Sequence, residues 1–144
     1  MELSCKSEYA LLALLELSVH YNQGEPLQIR QIAVQQNIPD RYLEQLLATL
    51  RRAGFVKSQR GAKGGYLLTS PPWQVRLLDV VNCIEGLEKR STAGDAVLTT
   101  ERRVVRSFWQ EVQQAAREVL AAHTLQDLVE QRNASNQVDL MYYI

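Results

Sequence analysis

Ser58-Gln59-Arg60-Gly61-Ala62-Lys63-Gly64-Gly65-Tyr66-Leu67-Leu68 is the stretch on which the reading of this chain turns. Phe55-Val56 before it and Tyr66-Leu67-Leu68 within it are apolar, and they bracket a tight turn, Arg60 to Gly65, with two cations and three glycines. That pattern predicts a tight two-stranded hairpin. Glycine admits positive φ and lets backbone approach another surface closely, while Arg60 and Lys63 put positive charge at the tip. A nucleic-acid backbone is the surface such a tip suits.

Upstream of the hairpin, Leu43, Leu46, Leu47 and Leu50 recur at i, i+3, i+4 and i+7. This predicts a helix running to Ala53, with Gly54 as its left-handed stop. The same spacing turns Arg41, Glu44, Gln45, Ala48 and Arg52 toward solvent. Arg41 and Gln45 can hydrogen-bond base edges, and Glu44 can accept from a cytosine amino group. A helix packed by its leucines with an indifferent polar outside is the plain alternative. Before it, Asn37-Ile38-Pro39-Asp40 makes a turn after a short helix at about residues 28 to 36, with Ile29, Ile32 and Ala33 inward. A first helix over residues 4 to 21 places Ala10, Leu11, Leu14, Leu15 and Leu17 at helical spacing and ends at Asn22-Gln23-Gly24. Two short helices, a polar-faced third and a hairpin in this order form a winged helix-turn-helix.

Beyond the hairpin, Ser70-Pro71-Pro72 breaks the chain, and a short helix from Leu77 to Glu85 stops at Gly86. Residues 87 to 100 are polar and read as a loop. Thr100 is placed to cap a long helix with an apolar stripe of Val105, Phe108, Trp109, Val112, Ala115, Ala116, Val119 and Leu120. Such a stripe suits either a core contact or two-fold dimerisation. The expected fold class is mainly α with a small β wing. Its parts are a DNA-binding winged helix-turn-helix domain over residues 1–86, the loop 87–100, a dimerisation helix and short C-terminal helix over 101–131, and a polar, flexible tail over 132–144.

The chain has 144 residues, 46% hydrophobic and 22% charged, which fits one globular domain. Sixteen basic residues balance sixteen acidic ones, so only the distribution is informative. Residues 40–65 hold Arg41, Arg51, Arg52, Lys57, Arg60 and Lys63 against Asp40 and Glu44, a local net of +4 that leaves −4 on the remainder. A solvated face is the ordinary reading of such a cluster; its coincidence with the third helix and hairpin gives it weight. The apolar run from Tyr9 to Leu15 is too short and too closely flanked by charge to span a bilayer or direct export. Two cysteines, Cys5 and Cys83, make neither a disulfide framework nor a zinc motif. A cytoplasmic protein without membrane contact is expected. Neither a nucleophile elbow nor a phosphate loop is present, and no enzymatic activity is expected.

Three segments resemble the Rrf2 family of winged-helix regulators, the group of IscR, NsrR and CymR. They are Tyr42-Leu43-Glu44-Gln45-Leu46-Leu47, Leu50-Arg51-Arg52-Ala53-Gly54-Phe55-Val56, and Arg60-Gly61 through Gly64-Gly65-Tyr66-Leu67. The likeness begins at Lys6 and Tyr9-Ala10 and continues through Val75 to Gly86, Trp109 and Thr124 to Val129. It implies a homodimeric transcription factor, usually a repressor, that binds a near-palindromic double-stranded DNA operator. The third helix would enter the major groove and Arg60 the minor groove. The DNA-binding set expected is Arg41, Tyr42, Glu44, Gln45, Thr49, Arg52, Ser58, Arg60, Gly61, Lys63 and Gly64, with Val105, Phe108, Trp109, Val112, Ala116 and Val119 at the dimer seam.

Iron-sulfur members of the family carry three cysteines where this chain has residues 87–100, and here that segment has none. Glu8 matches a position where some members use a carboxylate ligand, yet without the thiolates a first-turn acid is the simpler reading. No cofactor and no metal are expected, and the likeness falls to the cofactor-free, CymR-like branch. That branch implies control of sulfur or cysteine metabolism, with Tyr142, Tyr143 and Ile144 read by cysteine synthase. The contrary reading folds these aromatics back on the dimer core. Two other functions remain open at this point: a protein-interaction module on a winged-helix scaffold, and a thiol-based redox sensor using Cys5 or Cys83.

Overall fold

The computed structural model of the chain describes residues 4–86 and 99–142. The expected loop 87–100, apart from its last two residues, and the terminal Tyr143 and Ile144 lie outside the described residues. Helix α1 (Cys5–Val19) starts at Ser4, whose hydroxyl accepts the Ser7 N–H at 3.1 Å. A 3-10 turn over Tyr21–Gln23 follows, so the regular helix stops two residues short of the expected end. Helix α2 (Ile29–Gln36) opens on a reciprocal capping box between Gln28 and Gln31 and closes on Asn37 at φ 54°. Helix α3 (Asp40–Arg52) carries Asp40 in its first turn and Arg51 and Arg52 in its last, each sign placed as the helix dipole prefers. Gly54, at φ 89°, ends it in the left-handed region as the sequence predicts.

All four leucines of α3 are buried, and Leu43, Leu47 and Leu50 join Leu14 of α1 and Ile32 of α2 in one core. Burying each such side chain stabilises by about 1.5–3 kcal/mol. Strands β1 (Val56–Gln59) and β2 (Gly65–Leu68) pair antiparallel, in register from Val56 with Leu68 to Gln59 with Gly65. Val56 and Leu68 pin the hairpin's base to the core, and the rest of β1 is exposed. Leu27, just before α2, bonds to Tyr66 in both directions, at 3.0 Å and 2.7 Å. The hairpin is therefore bonded to the start of the helix-turn-helix as well as to its end.

Helix α4 (Leu77–Glu85) buries Leu77 and Val80. At its last residue, Glu85 Oε1 accepts the hydroxyls of Ser4 and Ser7, the latter at 2.6 Å, which ties α4 to the first turn of α1. Cys83, expected in the core, is only half-buried. Helix α5 (Thr100–Ala122) is capped by Thr99, not by Thr100: the Thr99 hydroxyl accepts the Arg102 N–H at 3.2 Å. Both threonines can cap, and the extended backbone of Thr99 (φ −63°, ψ 157°) settles which one does. The end of α5 returns to the body, where Leu77 N–H donates to His123 C=O and Leu125 N–H to Val75 C=O, each at 3.0 Å.

Helix α6 (Leu125–Tyr142) buries Leu125 and Val129 and packs on α1. It corrects the expectation of a short C-terminal helix and a flexible tail from residue 132, because the helix runs through the polar stretch to Tyr142. Polarity suggests a loose tail, but residues 130–142 hold neither glycine nor proline and several good helix formers, so nothing stops the propagation of α6.

Candidate nucleic-acid interface

Burying the leucines of α3 leaves Arg41, Glu44, Gln45 and Arg52 exposed along its other side. Thr49, half-buried, donates its hydroxyl to the Gln45 carbonyl at 3.0 Å and accepts from Arg52 Nη2 at 3.4 Å. It thus steadies the guanidinium of Arg52. Tyr42 is half-buried and stands edge-on to Tyr9 of α1, ring centroids 5.3 Å apart, so much of its ring is spent on packing α3 against α1.

At the hairpin tip Arg60, Gly61 and Lys63 are exposed. Gly64 is half-buried and donates its N–H to the Gly61 carbonyl at 2.9 Å, and a Cβ there would strike the carbonyl oxygen of Gln59. Its place in the site is to shape the turn. Ser58 accepts from Arg51 Nη1 at 3.5 Å, a link between the end of α3 and β1.

One feature here leaves no trace in the sequence. The Leu27–Tyr66 pair is a bridge of a single residue, too short to leave any periodicity. Gly65 lies against it: a Cβ would collide with the Leu27 carbonyl, so the second glycine of the Gly-Gly pair permits that close approach. Arg51 and Lys57, counted in the basic segment but not in the expected DNA-binding set, are also exposed. Among the described residues the base–carboxylate contacts within 4 Å are His20 with Glu16 (3.3 Å) and His123 with Asp127 (3.2 Å). None of the cations on α3 or the hairpin takes part in one, so all are open to a phosphate.

Away from this face, α5 has no buried residue. Val105 is 67% exposed, Phe108 66%, Trp109 47% and Val119 60%, while Val112 and Ala116 between them are half-buried. Both readings of the stripe hold in part: Leu120 at its C-terminal end packs against the chain's own core, while the part from Val105 to Trp109 stands exposed. A contiguous apolar face of this kind marks an interaction surface.

The family's iron-sulfur chemistry finds no matching donors. The whole chain holds two thiols, Cys5 exposed on α1 and Cys83 on α4, where burial pushes the thiol pKa up and disfavours the thiolate that iron requires. No group of three His, Cys, Asp or Glu side chains able to hold a metal occurs among the described residues. His20 and His123 act as helix C-caps. Also among the described residues, no helix is long and apolar enough to cross a membrane.

A helix-turn-helix with a glycine-shaped wing bonded to both its ends, bearing open cations and amides on its reading side, defines a winged-helix transcriptional regulator. Residues 3–131 match the Rrf2 family, described as "Iron-dependent Transcriptional regulator", and the chain belongs to that family. It is 35% identical to the HTH-type transcriptional regulator CymR of Bacillus subtilis over 142 residues, 99% of each chain. The solved structure of that CymR, named as the global cysteine regulator, superposes with a TM-score of 0.76 at 37% identity, covering 91% of this chain and 98% of the other. The T. potens IscR structure gives a TM-score of 0.78 at 34% identity, covering 92% and 88%.

Proposed function

We propose that this regulator is a homodimeric repressor that reads a near-palindromic operator without an iron-sulfur cluster. The observation that carries the reading is the co-presentation of Arg41, Glu44 and Gln45 on α3 with Arg60 and Lys63 on the wing, all exposed and none in an ion pair. An α-helix fits the major groove, where Arg reads guanine and Gln reads adenine in bidentate fashion. An arginine at the tip of a hairpin suits a narrow minor groove. The open apolar side of α5 supports pairing of two chains, which would set two reading heads against two half-sites. Residues 1–86 would be the reading domain and α5 with α6 the pairing domain.

Fragments recovered from sheared genomic DNA with purified protein test the reading. Recovered sites are expected to bind at least ~1000-fold tighter than mixed sequence; equal affinity would contradict it.

Cysteine metabolism is the narrower part of the proposal, supported by the likeness to CymR and by the chain's lack of cluster ligands. A cysteine synthase would take the C-terminal carboxylate and the last side chains, and Tyr142, 85% exposed at the end of α6, is accessible for that. Calorimetric titration of purified cysteine synthase with the full chain and with a chain lacking its last four residues tests this part. Binding by the full chain alone is expected, and equal heats from both would refute it.

A further inference from the structure

The polar side of α5 is electrically divided. Arg106 follows Arg102 by four residues and Arg103 by three, and Arg117 follows Arg106 by eleven, so the four share one side with Gln110 and Gln113, whereas Glu111 and Glu118 lie seven apart on another. The arginines are exposed, and none is in an ion pair among the described residues. Residues 87–98 offer no net compensation, since Glu88 and Asp95 are matched by Lys89 and Arg90. Nor does helix stability explain the choice. Cations in the first turns oppose the helix dipole, and Arg102 and Arg106 at i, i+4 repel each other.

We propose that this arginine side of α5 is a second nucleic-acid backbone contact, outside the helix-turn-helix and wing, which engages phosphates without reading bases. The proposal rests on the DNA-binding function proposed above and extends it. The composition of the strip favours nucleic acid over an acidic protein. A protein interface needs apolar or aromatic anchors at its centre, and here the centre of the strip from Arg102 to Arg117 is Arg and Gln, with Trp109 only along its edge. Phosphate backbone needs only charge and donors. Arg103, Gln110 and Arg117 turn away from Val105, Val112 and Val119 and stay open when a second copy covers that face, while Arg102 and Arg106 border it beside Trp109.

The geometry gives the arginines reach. Helix α5 has 23 residues and α4 has 9; His123, after the end of α5, is bonded to Leu77 at the start of α4. At about 1.5 Å per residue the N-terminal part of α5 overshoots α4 by roughly 20 Å. Arg102, Arg103 and Arg106 lie on that overshoot.

The test compares wild type with R102Q/R103Q/R106Q on a mixed-sequence duplex of about 60 base pairs, reading log K against log salt. Each lost phosphate contact is expected to flatten the slope by about 0.9, so the triple variant should lose roughly 1 to 3. Helicity and assembly mass should not change. An unchanged slope overturns the proposal; if, in addition, only the wild type is retained on immobilised poly-glutamate, the strip serves an acidic protein instead. Preference for recovered genomic sites over mixed sequence reports separately on the helix and wing, so either claim can fail alone.

Discussion

Gln45 and Arg60 are the side chains most exposed to a single-atom test of readout. Gln45→Ala removes an amide able to pair with one base and leaves the buried face of α3 intact. It is expected to cost about 1–3 kcal/mol on the recovered operator and far less on mixed duplex, measured by fluorescence anisotropy. Equal losses on both would assign Gln45 to the backbone. Gly65→Ala acts differently, by driving a Cβ into the Leu27 carbonyl. Breaking that bridge should lower the thermal midpoint and weaken operator binding together, although Gly65 need not touch DNA; a variant with wild-type stability and affinity would show that the bridge does not set the wing. The outward residues of α3 were legible because four leucines fix the phase of the helix. The engagement of Tyr42 with Tyr9, and of Thr49 with the Gln45 carbonyl, was not, because each depends on a neighbour that spacing on one helix cannot reveal.

Helices α4 and α5 show what an element can and cannot disclose. The bounds of α4, Leu77 to Glu85, follow from its apolar spacing and Gly86, and the structure has the same bounds. That Glu85 would accept two hydroxyls from α1, seventy-eight and more residues away, leaves no local trace. The hydrogen bonds from Ser4 and then Ser7 hold the Glu85 carboxyl below the usual carboxylate range. A lowered folded pKa means that the tie contributes fully above the ordinary carboxylate range and is lost as pH falls through the lowered value. Glu85→Gln should therefore reduce the thermal midpoint at neutral pH and shrink the difference between neutral and acidic buffer; an undiminished difference would place the acid sensitivity elsewhere, Asp127 being a second carboxyl held low by Thr124 and His123. On α5, the stripe was legible from its period, while its exposure was not, since sequence gives amphipathicity and not the identity of what covers it. Phe108→Asp with Trp109→Asp should convert dimer to monomer by sedimentation velocity with little loss of helicity. Persistence of the dimer would move the seam off this face. The tail after residue 131 was misread for a related reason: α6 is sustained by the lack of a breaker, with no buried stripe along those residues to announce it.

At the scale of the molecule, three bonded junctions hold the helix-turn-helix and wing: Leu27 to Tyr66, Glu85 to Ser4 and Ser7, and Leu77 and Val75 to His123 and Leu125 where α5 gives way to α6. They connect the wing, the first helix and the long helix into one frame, so in the proposed dimer a shift in how two α5 helices pair would be carried to the spacing of the two reading heads. The family and fold were legible from the order of the elements and the glycine-basic hairpin. The charge division along α5 emerged only once the N-terminal part of that helix was seen to be exposed on every side. The most direct measurement of the central claim is the stoichiometry and affinity of the chain on a recovered operator, with one half-site intact and the other scrambled, by sedimentation equilibrium and anisotropy. Two chains per duplex on the intact site, and an affinity loss of well over ~10-fold on the scrambled one, are expected because several base contacts vanish together. A single bound chain, or equal affinity for the two duplexes, would contradict it.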